Sequence, residues 1–125
     1  MSNRIISIAA INAFIAIAAG AFAAHALKHS LSADYLAVFH TAAYYQLVHA
    51  LALFGLGLLN KMQPASWIKT TATVMTAGII LFSGSLYALA LSDIKWLGMI
   101  TPLGGLCFLF AWLHLAISIH KETAG

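Results

Sequence analysis

Four long apolar stretches account for most of this 125-residue chain, and they constrain its fold more than any other feature. Each stretch is about as long as the ~20 residues that a helix needs to cross the hydrocarbon core of a bilayer. Because lipid offers the backbone no hydrogen-bond partners, such segments must be helices. The sequence therefore predicts four membrane-spanning helices, at about residues 5–26, 36–59, 68–91 and 96–119.

The composition favours a membrane protein and excludes several soluble classes. Hydrophobic residues make up 62% of the chain and charged residues 7%, whereas soluble domains average about 25% charged residues. Six scattered basic residues do not form a nucleic-acid-binding patch, so we expect the lipid bilayer and no nucleic acid as partner. The single cysteine, Cys107, excludes a disulfide framework. We expect an all-α integral membrane four-helix bundle that forms one domain over residues 1–125.

The basic residues predict the orientation of this bundle. One side would carry the N-terminus, the 60–67 loop and the C-terminal tail, and the other side would carry Lys28 and Lys95. The side with the termini holds the larger number of basic residues, namely Arg4, Lys61, Lys69 and Lys121. Because such residues favour the cytoplasmic side, we expect both termini in the cytoplasm. Residues 21–23 imitate a signal-peptide cleavage site, but the preceding apolar run is too long for one, and we interpret it as the first span.

Small residues on every span predict close packing between helices. In the first span Ala16, Gly20 and Ala24 recur every four residues and would form a ridge that a neighbouring helix can approach. We expect this ridge to pack within the chain, with a dimer seam as the alternative. On this interpretation Gly20→Leu disrupts the bundle more than Leu58→Ala does.

Polar side chains inside the spans are the candidates for a functional site, because such groups are costly in lipid. Most of them fall in the outer half of the bilayer once the alternating helix directions are considered. On the second span Tyr45, Gln46 and His49 share one face by helical spacing, and we expect them to meet hydroxyl groups of the third span. The full candidate set is His25, Tyr45, Gln46, His49, Ser83, Ser85, Tyr87 and Thr101.

Three functional hypotheses follow from this polar set. The first is a non-enzymatic module whose network holds the bundle together and binds a partner or a small ligand. The second is a small homo-oligomeric transporter or channel, with Tyr45, Gln46 and His49 lining its path. The third is a metal- or haem-binding protein, for which His25 and His29 have a suitable spacing and would need His40 as a third metal ligand. No catalytic motif is visible, so we expect no catalytic residues, no metal site and no cofactor.

Four stretches of the chain resemble, in the same order, a family of small bacterial inner-membrane proteins. The family is called domain of unknown function 423, or UPF0382. The matching stretches are residues 20–28, 45–53, 81–87 and 97–105, which together extend over most of the chain. The resemblance implies a multi-pass, four-span protein of the bacterial inner (cytoplasmic) membrane and supplies no biochemical role.

Overall fold

A computed structural model describes residues 1–124 and contains four helical crossings joined by short connections. Three crossings are continuous helices: α1 (Ser2–His25), α2 (Ala33–Met62) and α5 (Thr101–Ala124). The third crossing consists of α3 (Ser66–Ile79), a π-helical segment (Ile80–Gly84) and α4 (Ser85–Ser92). All four are long and apolar enough to span a membrane, and no strand occurs within residues 1–124. The predicted all-α, four-span architecture is confirmed.

Local sequence signals explain where several helices begin and end. Ser32 caps α2, because its Oγ accepts a hydrogen bond from the backbone N–H of Tyr35 at 3.2 Å. After α4 the chain turns at Asp93, which has a left-handed φ of 58° and whose carboxylate accepts a hydrogen bond from the Tyr35 hydroxyl. A 3-10 helix over Lys95–Met99 precedes α5, and Pro102 lies in the first turn of α5, where its missing N–H costs nothing.

Hydrogen bonds near the helix ends show that the two termini lie on the same side. Asn60, near the end of α2, donates to Ser2 Oγ at the start of α1 over 2.7 Å. Trp67, at the start of α3, donates its indole N–H to the carboxylate of Glu122, near the end of α5. The crossings therefore alternate in direction.

The helices pack largely in chain order, α1 on α2, α2 on the third crossing and the third crossing on α5. The main core lies in the half nearer the termini, where Leu53, Ile68 and Met75 are almost completely buried. A smaller cluster in the other half is built around Phe39 and Ala90. Each half of the bundle thus has its own apolar centre, and the polar contacts between helices lie between and around these centres.

The packing surface of α1 differs from the predicted ridge. Ala9, Ala16 and Ala23 are buried, whereas Ala24 is exposed and a side chain at Gly20 would meet nothing within 4 Å. Within the chain, therefore, Ala16 is buried as expected, but Gly20 and Ala24 do not form a packing ridge. The buried alanines Ala9, Ala16 and Ala23 recur every seven residues. A repeat of seven residues drifts only ~20° around a helix, so it stays on one face better than the predicted repeat of four residues does.

The π-helical segment and α5 approach each other closely at Gly104. A Cβ atom added to Gly104 would lie 2.3 Å from the backbone nitrogen of Phe82, so only glycine fits there. On the neighbouring face of the segment, Ser83 Oγ donates to the carbonyl oxygen of Ala42 on α2 at 2.8 Å. The segment is thus held by α5 and by α2. Such π-helical turns often lie at functional sites.

Candidate functional site

Gln46 joins three crossings near the middle of α2. Its side chain is 5% exposed. Its Nε2 donates to Asn12 Oδ1 on α1 at 3.0 Å, and its Oε1 accepts from the hydroxyl of Tyr87 on α4 at 2.7 Å. Asn12 in turn donates to the carbonyl oxygen of Ile8 at 2.9 Å. This chain of hydrogen bonds engages both ends of the Gln46 amide and links α1, α2 and α4.

His49 lies about one helical turn further along α2 and contacts α5 instead. Its ring is 3% exposed, with Nδ1 at 2.7 Å from the carbonyl oxygen of Tyr45 and Nε2 at 3.1 Å from the indole nitrogen of Trp112. A carbonyl oxygen only accepts and an indole N–H only donates, so the proton of the neutral ring belongs on Nδ1. The ring of Phe108 stacks on the imidazole, with centroids 3.6 Å apart and planes at 7°.

An aromatic groove of about 520 Å³ opens beside His49 at the surface of the helices. Its walls come from α2, the π-helical segment and α5. The lining residues are Tyr44, Tyr45, Val48, His49, Phe82, Gly105, Phe108, Leu109 and Trp112, and we call this surface the His49 groove. Tyr44 and Tyr45 are 63% and 39% exposed, and within residues 1–124 no protein group forms a hydrogen bond with either hydroxyl.

The other predicted site residues form separate contacts rather than one shared network. Ser85 Oγ lies 2.6 Å from Thr101 Oγ1 and also donates to the carbonyl oxygen of Phe82 at 3.0 Å. The buried Ser83 bonds to backbone, as described for the π-helical segment. His25 is exposed at the end of α1, and the structure does not bring it to Gln46 or His49.

The expected contact between His49 and hydroxyl groups of the third crossing does not form. Both ring nitrogens of His49 are engaged by Tyr45 and Trp112, and Phe108 covers one face of the ring. Of the three residues expected on one face, Gln46 reaches Tyr87, His49 reaches α5 and Tyr45 lines the groove. The physical reason is that the second crossing has neighbours on several sides, so residues one turn apart meet different helices.

Sequence reasoning missed Asn12 and Trp112, although each carried a signal. Asn12 is the one amide side chain inside the first apolar stretch, and its depth matches that of Gln46 because α1 and α2 run in opposite directions. Trp112 lies well inside the fourth stretch, whereas tryptophans of membrane helices concentrate at the interfaces. Polar contacts also occur in the half nearer the termini, where Thr71 Oγ1 lies 2.8 Å from Nδ1 of His114.

The histidines other than His49 do not gather into a metal site in the described part of the chain. Within residues 1–124, no group of three or more His, Cys, Asp or Glu side chains lies close enough to share a metal ion. His25, His29 and His40 are all exposed. The His25–His29 pair therefore has no third side chain of these types close enough to share a metal ion in the described residues.

Comparison with known proteins places the sequence that forms this site in a family. A family model described as "Protein of unknown function (DUF423)" matches residues 19–105, a range that contains Gln46, His49, Tyr87 and the π-helical segment. The chain belongs to the DUF423 family. The resemblance seen in the sequence is confirmed.

Relatives of this DUF423 chain are named only as membrane proteins. The UPF0382 membrane protein YwdK of Bacillus subtilis is 43% identical over 93% of this chain and 95% of its own length. The UPF0382 inner membrane protein YgdD of Escherichia coli K12 is 39% identical over 100% of this chain and 97% of its own length. A UPF0382 membrane protein of Haemophilus influenzae is 37% identical over 99% of this chain and 99% of its own length. No solved structure matches. The chain is therefore a multi-pass membrane protein of a family without a defined biochemical role.

Proposed function

We propose that this chain is a non-enzymatic binding module of the bacterial inner membrane and that the His49 groove is its site for a small lipid-soluble ligand. The proposal rests on one aromatic groove that combines a fixed neutral imidazole with two tyrosine hydroxyls that have no hydrogen-bond partner among residues 1–124. The name of the Escherichia coli relative supports a location in the inner membrane. The distribution of lysine and arginine supports an orientation with both termini in the cytoplasm.

The hydroxyl groups of Tyr44 and Tyr45 distinguish this groove from an ordinary lipid-facing surface. Both residues lie within about one turn of the middle of α2, and the middle of a membrane-spanning helix lies at the depth of the hydrocarbon core. A hydroxyl group without a hydrogen-bond partner in an apolar medium costs on the order of 2–7 kcal/mol. A ligand that brings a hydrogen-bonding group to these hydroxyls removes that cost.

The walls of the groove indicate the shape of this ligand. The rings of Phe82, Phe108 and Trp112 supply flat apolar contacts, and ligand sites of membrane-soluble molecules need few polar groups to fix orientation. The expected ligand is a small planar molecule with an apolar body and one hydrogen-bonding group at its edge. A hydrated ion or a sugar would lose far more hydrogen bonds to water than this groove can replace.

The polar groups behind the groove are satisfied without any ligand. In the described part of the chain no buried side-chain nitrogen or oxygen atom lacks a hydrogen-bond partner. The chain of bonds through Gln46 therefore stabilises the helix packing, and the stacking of Phe108 on His49 holds one wall of the groove in place before binding. Such pre-organisation lowers the entropic cost of binding.

Fluorescence of Trp112 provides the test, with 4-bromophenol as the probe. The chain has three tryptophans, so the variant Trp67→Phe/Trp96→Phe leaves Trp112 as its single emitter. In detergent we expect the bromine atom to quench this emission in a saturable manner, and excess unbrominated phenol to reverse the quenching. The matched variant Trp67→Phe/Trp112→Phe, which retains Trp96, should show only the linear quenching of a probe dissolved in the micelle.

Gly105→Leu is the blocking variant for this experiment. Gly105 lines the groove, and a Cβ atom there meets nothing within 4 Å, so leucine fills the groove without displacing a helix. Gly55→Leu is the matched control, because that position is equally open and lies outside the groove. Linear quenching of Trp112, or equal quenching in the two leucine variants, contradicts the proposal. A dimer that Gly105→Leu dissociates would instead identify the groove as a contact between copies of the chain.

A further inference from the structure

A second groove, of about 390 Å³, runs between α1 and α3 from the end of the molecule that holds the termini. Arg4 on α1 and Lys69 on α3 line it, and both lie in the first turn or two of their helices. Deeper along the same groove the lining is apolar and includes Ile8, Ala77 and Ile80. The residues that line this groove are separate from those of the His49 groove.

No acidic side chain of the described residues lines this groove, whereas Arg4 and Lys69 do. Asp34 and Asp93 lie at the opposite end of the helices, and the carboxylate of Glu122 accepts the indole N–H of Trp67. The first turns of α1 and α3 contain no acidic residue, and neither helix has a side-chain cap. The positive ends of two helix dipoles therefore add to the charges of Arg4 and Lys69.

The floor of the groove offers no free hydrogen-bond donor to a soluble ligand. The hydroxyl of Thr73 donates to the carbonyl oxygen of Lys69 and that of Thr76 to the carbonyl oxygen of Ala72, both at 2.8 Å. From Lys69 to Ile80 the helix rises about 16 Å at 1.5 Å per residue. This length is close to one leaflet of a hydrocarbon core that is about 30 Å thick.

We propose that this groove binds an anionic phospholipid. Its phosphate lies between Arg4 and Lys69, and one acyl chain extends along the apolar floor toward Ile80. Charge complementarity selects the headgroup, because a guanidinium group binds phosphate through two parallel hydrogen bonds and an ammonium group adds a point charge. The length and the apolar floor of the groove select a lipid rather than a free anion. Basic pockets between membrane helices on the cytoplasmic side are known to hold anionic headgroups.

Thermal unfolding of the delipidated full chain in a neutral detergent tests this proposal. We expect dioleoyl-phosphatidylglycerol to raise Tm by several degrees, as a ligand specific for the folded state does, and dioleoyl-phosphatidylcholine to have little effect. Inorganic phosphate at equal charge should also have little effect. The variant Arg4→Gln/Lys69→Gln should lose most of the phosphatidylglycerol response, whereas Lys28→Gln/Lys95→Gln, which removes the same charge from the opposite end, should keep it.

A third variant separates the acyl chain from the headgroup. Ala77→Leu fills the apolar part of the groove and leaves both cations in place, so it should weaken the response to phosphatidylglycerol. An equal Tm rise with phosphatidylcholine or with inorganic phosphate overturns the proposal, as does a full response in Arg4→Gln/Lys69→Gln. If that double variant does not fold, an unchanged response in Ala77→Leu is the overturning result. None of these outcomes depends on ligand binding at the His49 groove.

Discussion

Trp112 donates its indole N–H to Nε2 of His49 over 3.1 Å and thereby joins α5 to α2. α2 packs mainly on α1 and the third crossing, and α5 packs mainly on the third crossing, so the bond directly links two helices that are not main packing partners. With Nδ1 held at 2.7 Å from the carbonyl oxygen of Tyr45, the bond also determines which nitrogen carries the proton.

Replacing Trp112 with phenylalanine should leave Nε2 of His49 without a donor. We expect Trp112→Phe to reduce the free energy of unfolding by about 1 kcal/mol from the lost hydrogen bond, with further loss from packing. In the unaltered protein, ¹⁵N NMR should show a protonated Nδ1 and an unprotonated Nε2. Trp96→Phe, at an exposed position, is the control and should change neither measurement. A protonated Nε2 in the unaltered protein would show that the described bond is absent.

The neighbouring glycines Gly104 and Gly105 should respond very differently to a single methyl group. A Cβ atom at Gly104 would come 2.3 Å from the backbone of Phe82, whereas at Gly105 it meets nothing within 4 Å. We expect Gly104→Ala to cost about 1–3 kcal/mol through overpacking. Gly105→Ala should be neutral or stabilising by up to about 1 kcal/mol, because alanine is the better helix former. Equal midpoints of the two variants in a denaturation series would contradict the close approach of α5 to the π-helical segment.

Gln46 and Tyr87 should be energetically coupled. A double-mutant cycle with Gln46→Leu and Tyr87→Phe should give an interaction energy of about 0.6 kcal/mol, the average for such bonds in membranes. The control cycle combines Gln46→Leu with Thr101→Val, which removes a hydroxyl that bonds to Ser85 instead. The control should be additive, because the two groups share no partner. Additivity in both cycles would mean that the hydrogen bond at 2.7 Å contributes nothing to stability.

Both termini should lie in the cytoplasm, because most of the basic residues lie on their side of the bundle. Alkaline phosphatase fused to the C-terminus should therefore be inactive, and a fluorescent protein fused there should be bright. Phosphatase inserted at residue 29, in the connection between α1 and α2, should be active in the periplasm. The reverse pattern would invert the orientation.

The sequence was sufficient to predict the four-span architecture, but it predicted only some of the side-chain contacts between the helices. Helix direction and depth were enough to predict that Gln46 could meet Tyr87, since both lie at similar depth on adjacent antiparallel crossings. The partner of His49 depended instead on how α5 is rotated about its axis. That rotation follows from the contact between Gly104 and the backbone of Phe82, a tertiary fit for which no periodicity gives a signal.

The π-helical segment was not predicted for a related reason. Its five residues, Ile80–Gly84, are apolar or small and are compatible with an ordinary α-helix. The wider turn is stabilised by contacts with two neighbouring helices, including the bond from Ser83 to the carbonyl oxygen of Ala42. Gly20 and Ala24 do not pack within the chain, because small residues at several spacings fit the same alanine-rich helix and only the neighbouring helix decides which of them are buried.

The hydrogen bond between Asn12 and Gln46 has a consequence for the biogenesis of the protein. Both residues belong to the first helical hairpin, so their amides can pair without any residue of the second half of the chain. Pairing of two mid-span amides lowers the cost of placing that hairpin in lipid. Tyr87 and Trp112 come later in the chain, and each bonds to a side chain that α2 presents. The first hairpin therefore carries part of its own polar network independently of the helices that follow it.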